Sequence, residues 1–160
     1  MDGWTGVIVA LAALVLASGL GILVRARRGR FTSAAGSAMK TTDASPHSAV
    51  LAGLGVTPGT PVTLLQFSSA FCAPCRATRV LCADVAERVP GVRHIEVDAE
   101  SHLDAVRALD VWRTPTVLLV DSALSVRRRA SGAPTRAQLL AAMADLLPTA
   151  TAAPPDARVA

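Results

Sequence analysis

Two cysteines separated by two residues lie near the middle of the chain, in the stretch FCAPCRA at residues 71–77. A pair at this spacing serves as a redox couple, contributes half of a metal site, or consists of two neighbouring buried thiols. The stretch VTLLQF at 62–67 is apolar almost throughout, which is typical of a strand buried on both faces. The pair therefore follows a buried strand, and we predict that it opens a helix running to about Val89.

The first turn of that helix would make Cys72 reactive. Backbone N–H groups without partners and the helix dipole stabilise an anion at a helix N-terminus, which lowers the pKa of a thiol placed there. Cys75 lies one turn further along, close enough to form a disulfide with Cys72 and better shielded from solvent. Pro74 costs little in a first turn, where its missing N–H has no carbonyl to bond. We predict Cys72 as the nucleophile and Cys75 as the resolving thiol.

The remaining elements of the middle segment predict an α/β fold with a central mixed sheet flanked by helices. A short helix or an irregular segment is expected at 48–56, strands at 92–98, 114–120 and 124–131, and a helix at 101–110 with Ser101 as its N-cap. The last two strands are expected to form an antiparallel hairpin. A final helix begins at Thr135, where Gln138 completes a capping box, and continues to Leu147.

The stretch LLQFSSAFCAPCRA, followed by RTPT at 113–116 and SG at 131–132, resembles the thioredoxin family over about residues 60–147. The resemblance implies a thioredoxin fold and a thiol–disulfide oxidoreductase that uses the cysteine pair itself as redox group, with no other cofactor and no metal. It also implies that Pro115 is a cis-proline facing the active-site disulfide. The substrate groove that it implies is lined by Phe71, Ala73, Pro74, Thr114 and Pro115.

Several residues depart from the pattern of the thioredoxins. Phe71 and Ala73 replace the tryptophan and glycine of the family's WCGPC motif, and Gln66 replaces a buried aspartate six residues before the first cysteine. A neutral Gln66 cannot act as a general base for Cys75, so proton transfer at this thiol must use water or another group. His94, where thioredoxins carry a lysine, is a candidate. The alternative is an idle, half-exposed strand histidine.

An uncharged run of 21 residues, WTGVIVALAALVLASGLGILV, extends from Trp4 to Val24. As a helix it would be about 31 Å long, which matches a hydrocarbon core of about 30 Å. The run exceeds the apolar core of about 7–15 residues in a cleaved signal peptide, and only the acidic Asp2 precedes it. We therefore predict a transmembrane anchor with its basic flank at 1–25, which contacts membrane lipid through residues 4–24.

The segments around the anchor and the domain are rich in small residues and show no regular apolar pattern. We predict a flexible linker at 26–47, because 31–47 is rich in small and polar residues, then a thioredoxin-like domain at 48–148 and a disordered tail at 149–160. The net charge of +4 does not indicate nucleic-acid binding, because the arginine runs are not interleaved with stacking aromatic residues and the chain has no tyrosine.

The arginines that follow the anchor predict its orientation. Arg25, Arg27, Arg28 and Arg30 follow the apolar run, whereas no lysine or arginine precedes it. The positive-inside rule then places the domain on the cytoplasmic face. The resemblance favours the alternative, an extracytoplasmic domain, because many anchored thioredoxin-like proteins are oriented in that way.

These features together predict a membrane-tethered thiol–disulfide oxidoreductase that reduces protein disulfides and is itself reduced again by an upstream dithiol donor. Two alternatives remain open: a non-catalytic thioredoxin-fold interaction module at the membrane, and a metal-binding domain. The metal site would combine the two motif cysteines with Cys82 and with one of His47, His94 or His102. Otherwise Cys82 is expected to be a small buried apolar residue.

Overall fold

The computed structural model describes residues 3–27, 31–33 and 47–147. The chain order of its elements is one long helix, an edge strand and then an alternation of helices and strands. Their bounds are α1 Gly3–Arg27, β1 Phe31–Ser33, α2 Ser48–Gly53, β2 Val62–Ser68, α3 Ala73–Arg88, β3 Val92–Asp98, α4 Leu103–Ala108, β4 Thr116–Asp121, β5 Val126–Ser131 and α5 Arg136–Met143.

The strands form one mixed sheet in the order β1-β5-β4-β2-β3. Strand β2 is parallel to β3 and antiparallel to β4, and β4 forms an antiparallel hairpin with β5. This arrangement confirms the predicted mixed sheet and its terminal hairpin. Strand β2 lies inside the sheet with neighbours on both sides, which explains why all seven of its residues are buried.

Helices cover both faces of the sheet, and alternate residues of each strand supply the two apolar cores. Leu65 and Phe67 point to the core formed with α2 and α4, where Leu51 and Leu109 are buried. Leu64 points to the opposite core. That core is formed with α3 and α5 and contains Val62, Cys82, Val85, Val117, Leu119, Leu139, Ala142 and Met143.

Two local predictions need correction. The predicted linker at 26–47 is interrupted, because Phe31–Ser33 forms strand β1, antiparallel to β5, with Phe31 packed against the α3–α5 core. The aromatic side chain supplies apolar contact that the neighbouring small residues lack. Ser101 does not cap α4: the N-cap is His102, and the Ser101 hydroxyl instead donates to Asp98 at 2.6 Å.

Of the other predictions, the capping box is confirmed, the transmembrane anchor is not, and two segments lie outside the described residues. Thr135 and Gln138 form the expected capping box at the start of α5. Within the described residues, where the side chains of α1 are described as far as Gly21, no helix is long and apolar enough to cross a membrane. The predicted tail at 149–160 and residues 28–30 and 34–46 of the predicted linker lie outside the described residues.

Candidate active site

The cysteine pair lies where β2 ends and α3 begins. Cys72 is the N-cap of α3, and its Sγ accepts a hydrogen bond from the backbone N–H of Cys75 at 3.1 Å. Pro74 occupies the first turn, as predicted. The two sulfurs form a disulfide of 2.01 Å, with 5.2 Å between the Cα atoms. The N–H that binds Cys72 Sγ points at the atom that would carry negative charge after reduction, which favours its thiolate form.

The two sulfurs differ in their access to solvent. Cys72 is half-buried, whereas Cys75 is 1% exposed. Phe71, directly before Cys72, is 98% exposed, and Ala73 and Pro74 are exposed as well. An incoming sulfur can therefore approach Cys72 but not Cys75, which is the asymmetry that the nucleophile and resolving roles require.

The loop before β4 lies beside the segment that leads into the pair. The hydroxyls of Ser69 and Thr114 hydrogen-bond at 3.1 Å, and the peptide bond between Thr114 and Pro115 is cis, as the resemblance implied. The backbone N–H of Gly132 donates to the carbonyl of Pro115 at 2.7 Å. Thr114 is half-exposed and Pro115 is buried. The structure thus brings the two parts of the predicted groove to the same end of the sheet.

Gln66 is fully buried behind Cys75 and makes three hydrogen bonds. Its Nε2 donates to the carbonyl of Cys75 at 3.0 Å and to Ser68 Oγ at 2.7 Å. Its Oε1 lies 3.2 Å from Nε2 of His94. Since an amide oxygen only accepts, this nitrogen of His94 must carry the proton. Gln66 therefore links His94 to the backbone of Cys75 and has no direct bond to either sulfur among these contacts.

The polar contacts continue from Gln66 to the protein surface. The Ser68 hydroxyl hydrogen-bonds to Glu96, and Arg79 binds the same carboxylate through two nitrogens, at 2.5 and 2.8 Å. Burial alone would raise the pKa of Glu96, but the hydrogen bonds from Arg79 and Ser68 bring it below its usual value. Burial lowers the pKa of His94, with the charge of Glu96 opposing that shift. His94 is therefore held mainly neutral at pH 7.

The lowered pKa of His94 predicts a pH-dependent stability. Below about pH 6.5 the unfolded chain binds a proton at this histidine more readily than the folded chain does. The free energy of unfolding should therefore decrease as the pH falls from 6.5 toward the lower folded-state pKa. His94→Gln keeps a donor for Gln66 but cannot titrate. Urea unfolding between pH 7.5 and 5 should show a smaller decrease for this variant, and equal decreases would contradict the prediction.

Cys82 is separate from the redox pair. It is fully buried in the α3–α5 core, and burial, with a smaller contribution from the charge of Glu96, raises the pKa of its thiol to about 12. Within the part of the chain that the structure describes, no three potential metal-ligating side chains form a cluster. Cys82 occupies an apolar core position, as expected from the sequence.

Some residues near the site were not predicted from the sequence. Ser68 and the Arg79–Glu96 pair complete the polar contacts of Gln66, but a serine at a strand end and two charged residues 17 apart give no sequence signal. Trp112, three residues before Pro115, is 86% exposed. The sequence could have identified this residue as a site candidate, because the chain has only two tryptophans and this one directly precedes the RTPT stretch.

The mixed sheet with helices on both faces, the disulfide at a helix N-terminus and the neighbouring cis-proline define a thioredoxin-fold protein with a redox-type cysteine pair. The thioredoxin family model matches residues 54–145, more than half of the chain. The chain therefore belongs to the thioredoxin family. Family membership and the disulfide-bonded pair support thiol–disulfide oxidoreductase activity in general.

Solved structures of thioredoxins share this fold. The thioredoxin of Fasciola hepatica is 21% identical, with 62% of this chain and 89% of that chain covered and a TM-score of 0.51. A mutant thioredoxin from Halobacterium salinarum is 20% identical, with coverages of 56% and 80% and a TM-score of 0.51. Thioredoxin NaTrxh from Nicotiana alata is 17% identical, with coverages of 71% and 100% and a TM-score of 0.54. No curated protein matches this chain in sequence.

Proposed function

We propose that the protein is a membrane-tethered thiol–disulfide oxidoreductase that reduces protein disulfides through Cys72 and Cys75. The observation that carries this proposal is the asymmetric pair at the start of α3. Cys72 is accessible and bound by a helix N-terminal N–H, whereas Cys75 is 1% exposed. The redox group is the pair itself, so the proposed reaction needs no further cofactor.

In the proposed reaction, the Cys72 thiolate attacks one sulfur of a substrate disulfide. A mixed disulfide forms, and the second substrate sulfur leaves as a thiolate that takes a proton from water. The Cys75 thiol then loses its proton and attacks Cys72 Sγ, which releases the first substrate sulfur and closes the Cys72–Cys75 disulfide. Two electrons pass from the chain to the substrate, and an upstream dithiol donor returns the chain to its reduced state.

Two functions are needed at Cys75: removal of the proton of its thiol and positioning of that thiol. Gln66 holds the Cys75 carbonyl at 3.0 Å and is held by His94 in turn. A neutral amide does not take up the proton of Cys75, so we assign proton removal to water and a positioning role to Gln66 and His94. Phe71, Ala73, Pro74 and the Thr114–Pro115 segment would form the surface on which the substrate docks.

The reducing direction is proposed from the sequence between the two cysteines, Ala73 and Pro74, which contains no histidine. We expect the full chain in detergent to reduce a protein disulfide catalytically when it is supplied with dithiol. A glutathione titration should give a potential of about −200 to −270 mV, and a value near −120 mV would indicate an oxidant. Absence of turnover by the correctly folded chain would favour a non-catalytic interaction module.

Membrane tethering is proposed from the apolar run that α1 contains. All of its described side chains are exposed, including Trp4, Leu14, Val15 and Leu16, and none is charged. A helix that is apolar all round requires an apolar environment, and lipid supplies one. By the positive-inside rule, the arginines after the run support a domain on the cytoplasmic face.

A membrane-impermeant maleimide tests this orientation in intact cells that have first been treated with a permeant reductant. We expect labelling of Cys72 only after lysis, because a cytoplasmic thiol is protected by the membrane. The Cys72→Ser variant controls for other thiols. Labelling of Cys72 before lysis would instead place the domain, and its protein substrates, on the extracytoplasmic side.

A further inference from the structure

Strand β1 determines where the chain enters the domain from α1. Residues 28–30 separate the end of α1 at Arg27 from the start of β1 at Phe31. Fully extended, this connection allows about 14 Å between the Cα atoms of Arg27 and Phe31. A flexible linker of the predicted length, 26–47, would have allowed several times that distance. The paired strand therefore fixes Phe31 of the folded domain close to the end of α1.

The sheet register places Phe31 at the active-site end of the domain. Phe31 pairs with Ala130, Ala130 with Val117, and Val117 with Gln66, so these four residues form one row across the sheet. Strand β1 begins at the end of the sheet where β2 finishes and leads into Cys72. The chain thus enters the domain at the end that carries the redox pair, and β1 runs from there toward the opposite end.

The register also gives the distance from Phe31 to the site. Pro115 precedes Val117 by two residues, and β4 is two strands away from β1. At about 4.8 Å per strand and 3.3 Å per residue, Phe31 and Pro115 are roughly 12 Å apart. With the connection of about 14 Å, Pro115 stays within roughly 26 Å of the end of α1, however the domain turns.

We propose that the Cys72–Cys75 pair acts on disulfides held close to the bilayer, in membrane proteins or in their juxtamembrane segments. This inference rests on the proposed tether and oxidoreductase activity. The substrate class is assigned by distance. Pro115, at the active-site end of the domain, cannot move further than roughly 26 Å from the end of α1, so a disulfide far above the membrane is out of range. The electron transfer is the one described above, from the Cys72–Cys75 dithiol to the substrate disulfide.

The surface at this end of the domain suits such a location. Phe71 and Trp112 are the two most exposed large apolar side chains of residues 47–147. Arg76 and Arg113 are also exposed nearby in sequence. Aromatic and basic side chains are favoured at the level of lipid headgroups, tryptophan above all. The composition of this end of the domain is therefore compatible with the membrane interface. The short connection between α1 and β1 keeps it there.

The test uses the full chain in phospholipid vesicles with two membrane-anchored substrates on the same face. Both carry one disulfide-bonded peptide on a transmembrane helix. In the near substrate the peptide directly follows the helix, and in the far substrate an (EAAAK)8 spacer separates them by about 60 Å. We expect the near substrate to be reduced at least about tenfold faster, because only its disulfide shares the volume that the site can reach.

A matched variant lengthens the connection by twenty glycine and serine residues between Arg30 and Phe31. The lengthened connection spans about 80 Å when fully extended, which includes the far disulfide, and about 27 Å on average. We therefore expect the near-to-far rate ratio to fall at least about threefold relative to the native connection. Both forms should reduce a soluble disulfide equally well in detergent.

Equal rates on the near and far substrates with the native connection would overturn the proposal and leave the oxidoreductase function intact. No reduction of either substrate or of the soluble disulfide would overturn both, and failure of the chain to enter vesicles would overturn the proposal through its tether.

Discussion

Cys72→Ser is expected to abolish disulfide reduction, whereas Cys75→Ser should stop the reaction one step later. Without Cys72 Sγ no sulfur can attack the substrate, because Cys75 is 1% exposed and Cys82 is fully buried. We expect turnover to fall by about a thousandfold or more. In Cys75→Ser the attack still occurs but nothing releases the substrate, so mixed disulfides should accumulate.

The measurements are steady-state reduction of a protein disulfide and non-reducing electrophoresis after acid quenching. Cys82→Ala is the matched control: it removes the third cysteine of the chain and should keep turnover within about threefold, since that thiol cannot reach a substrate. Turnover retained by Cys72→Ser, or mixed disulfides that form on Cys72→Ser rather than on Cys75→Ser, would reverse the assigned roles.

Gln66→Leu should destabilise the fold by about 2–4 kcal/mol, although leucine is similar in size and the site is buried. The substitution leaves the carbonyl of Cys75 without its side-chain partner and takes an acceptor from His94. Buried polar groups that lose their partners cost about 1–3 kcal/mol each. The effect should appear as a lower midpoint in urea unfolding with an unchanged m-value.

Thr63→Val is the matched control for this prediction. Thr63 is also fully buried on β2, but its hydroxyl has no hydrogen-bond partner among the described residues. Its replacement by valine should therefore be neutral or stabilising, by up to about 1 kcal/mol. If Gln66→Leu were as mild as Thr63→Val, the polar contacts behind Cys75 would not contribute to stability as we infer.

The elements that the sequence predicted well are those with strong local signals. The apolar run at 62–67, the helical start at the cysteine pair and the capping box of Thr135 and Gln138 each depend on neighbouring residues. Strand β1 could not be found in this way, because its hydrogen bonds come from β5, about a hundred residues later in the chain. Phe31, an aromatic side chain within a stretch of small residues, was the available signal.

In the candidate site, too, some features follow from local sequence signals and others depend on contacts between distant residues. The predicted roles of Cys72 and Cys75 rest on the helix N-terminus, and the structure adds the difference in exposure between the two residues. The position of Gln66 between Cys75 and His94 depends on the parallel pairing of β2 with β3, which brings together residues 28 apart. The sequence could therefore name both Gln66 and His94, but only the sheet register could show that they touch.

The buried thiol of Cys82 has a consequence for the electron stoichiometry of the protein. A third reactive sulfur on the helix that carries the redox pair would allow exchange among three partners, and the chain could then stop in a wrongly paired form. With a pKa of about 12, this thiol supplies almost no thiolate at neutral pH. The native chain should therefore titrate as a strict two-electron carrier that cycles between the Cys72–Cys75 disulfide and the corresponding dithiol.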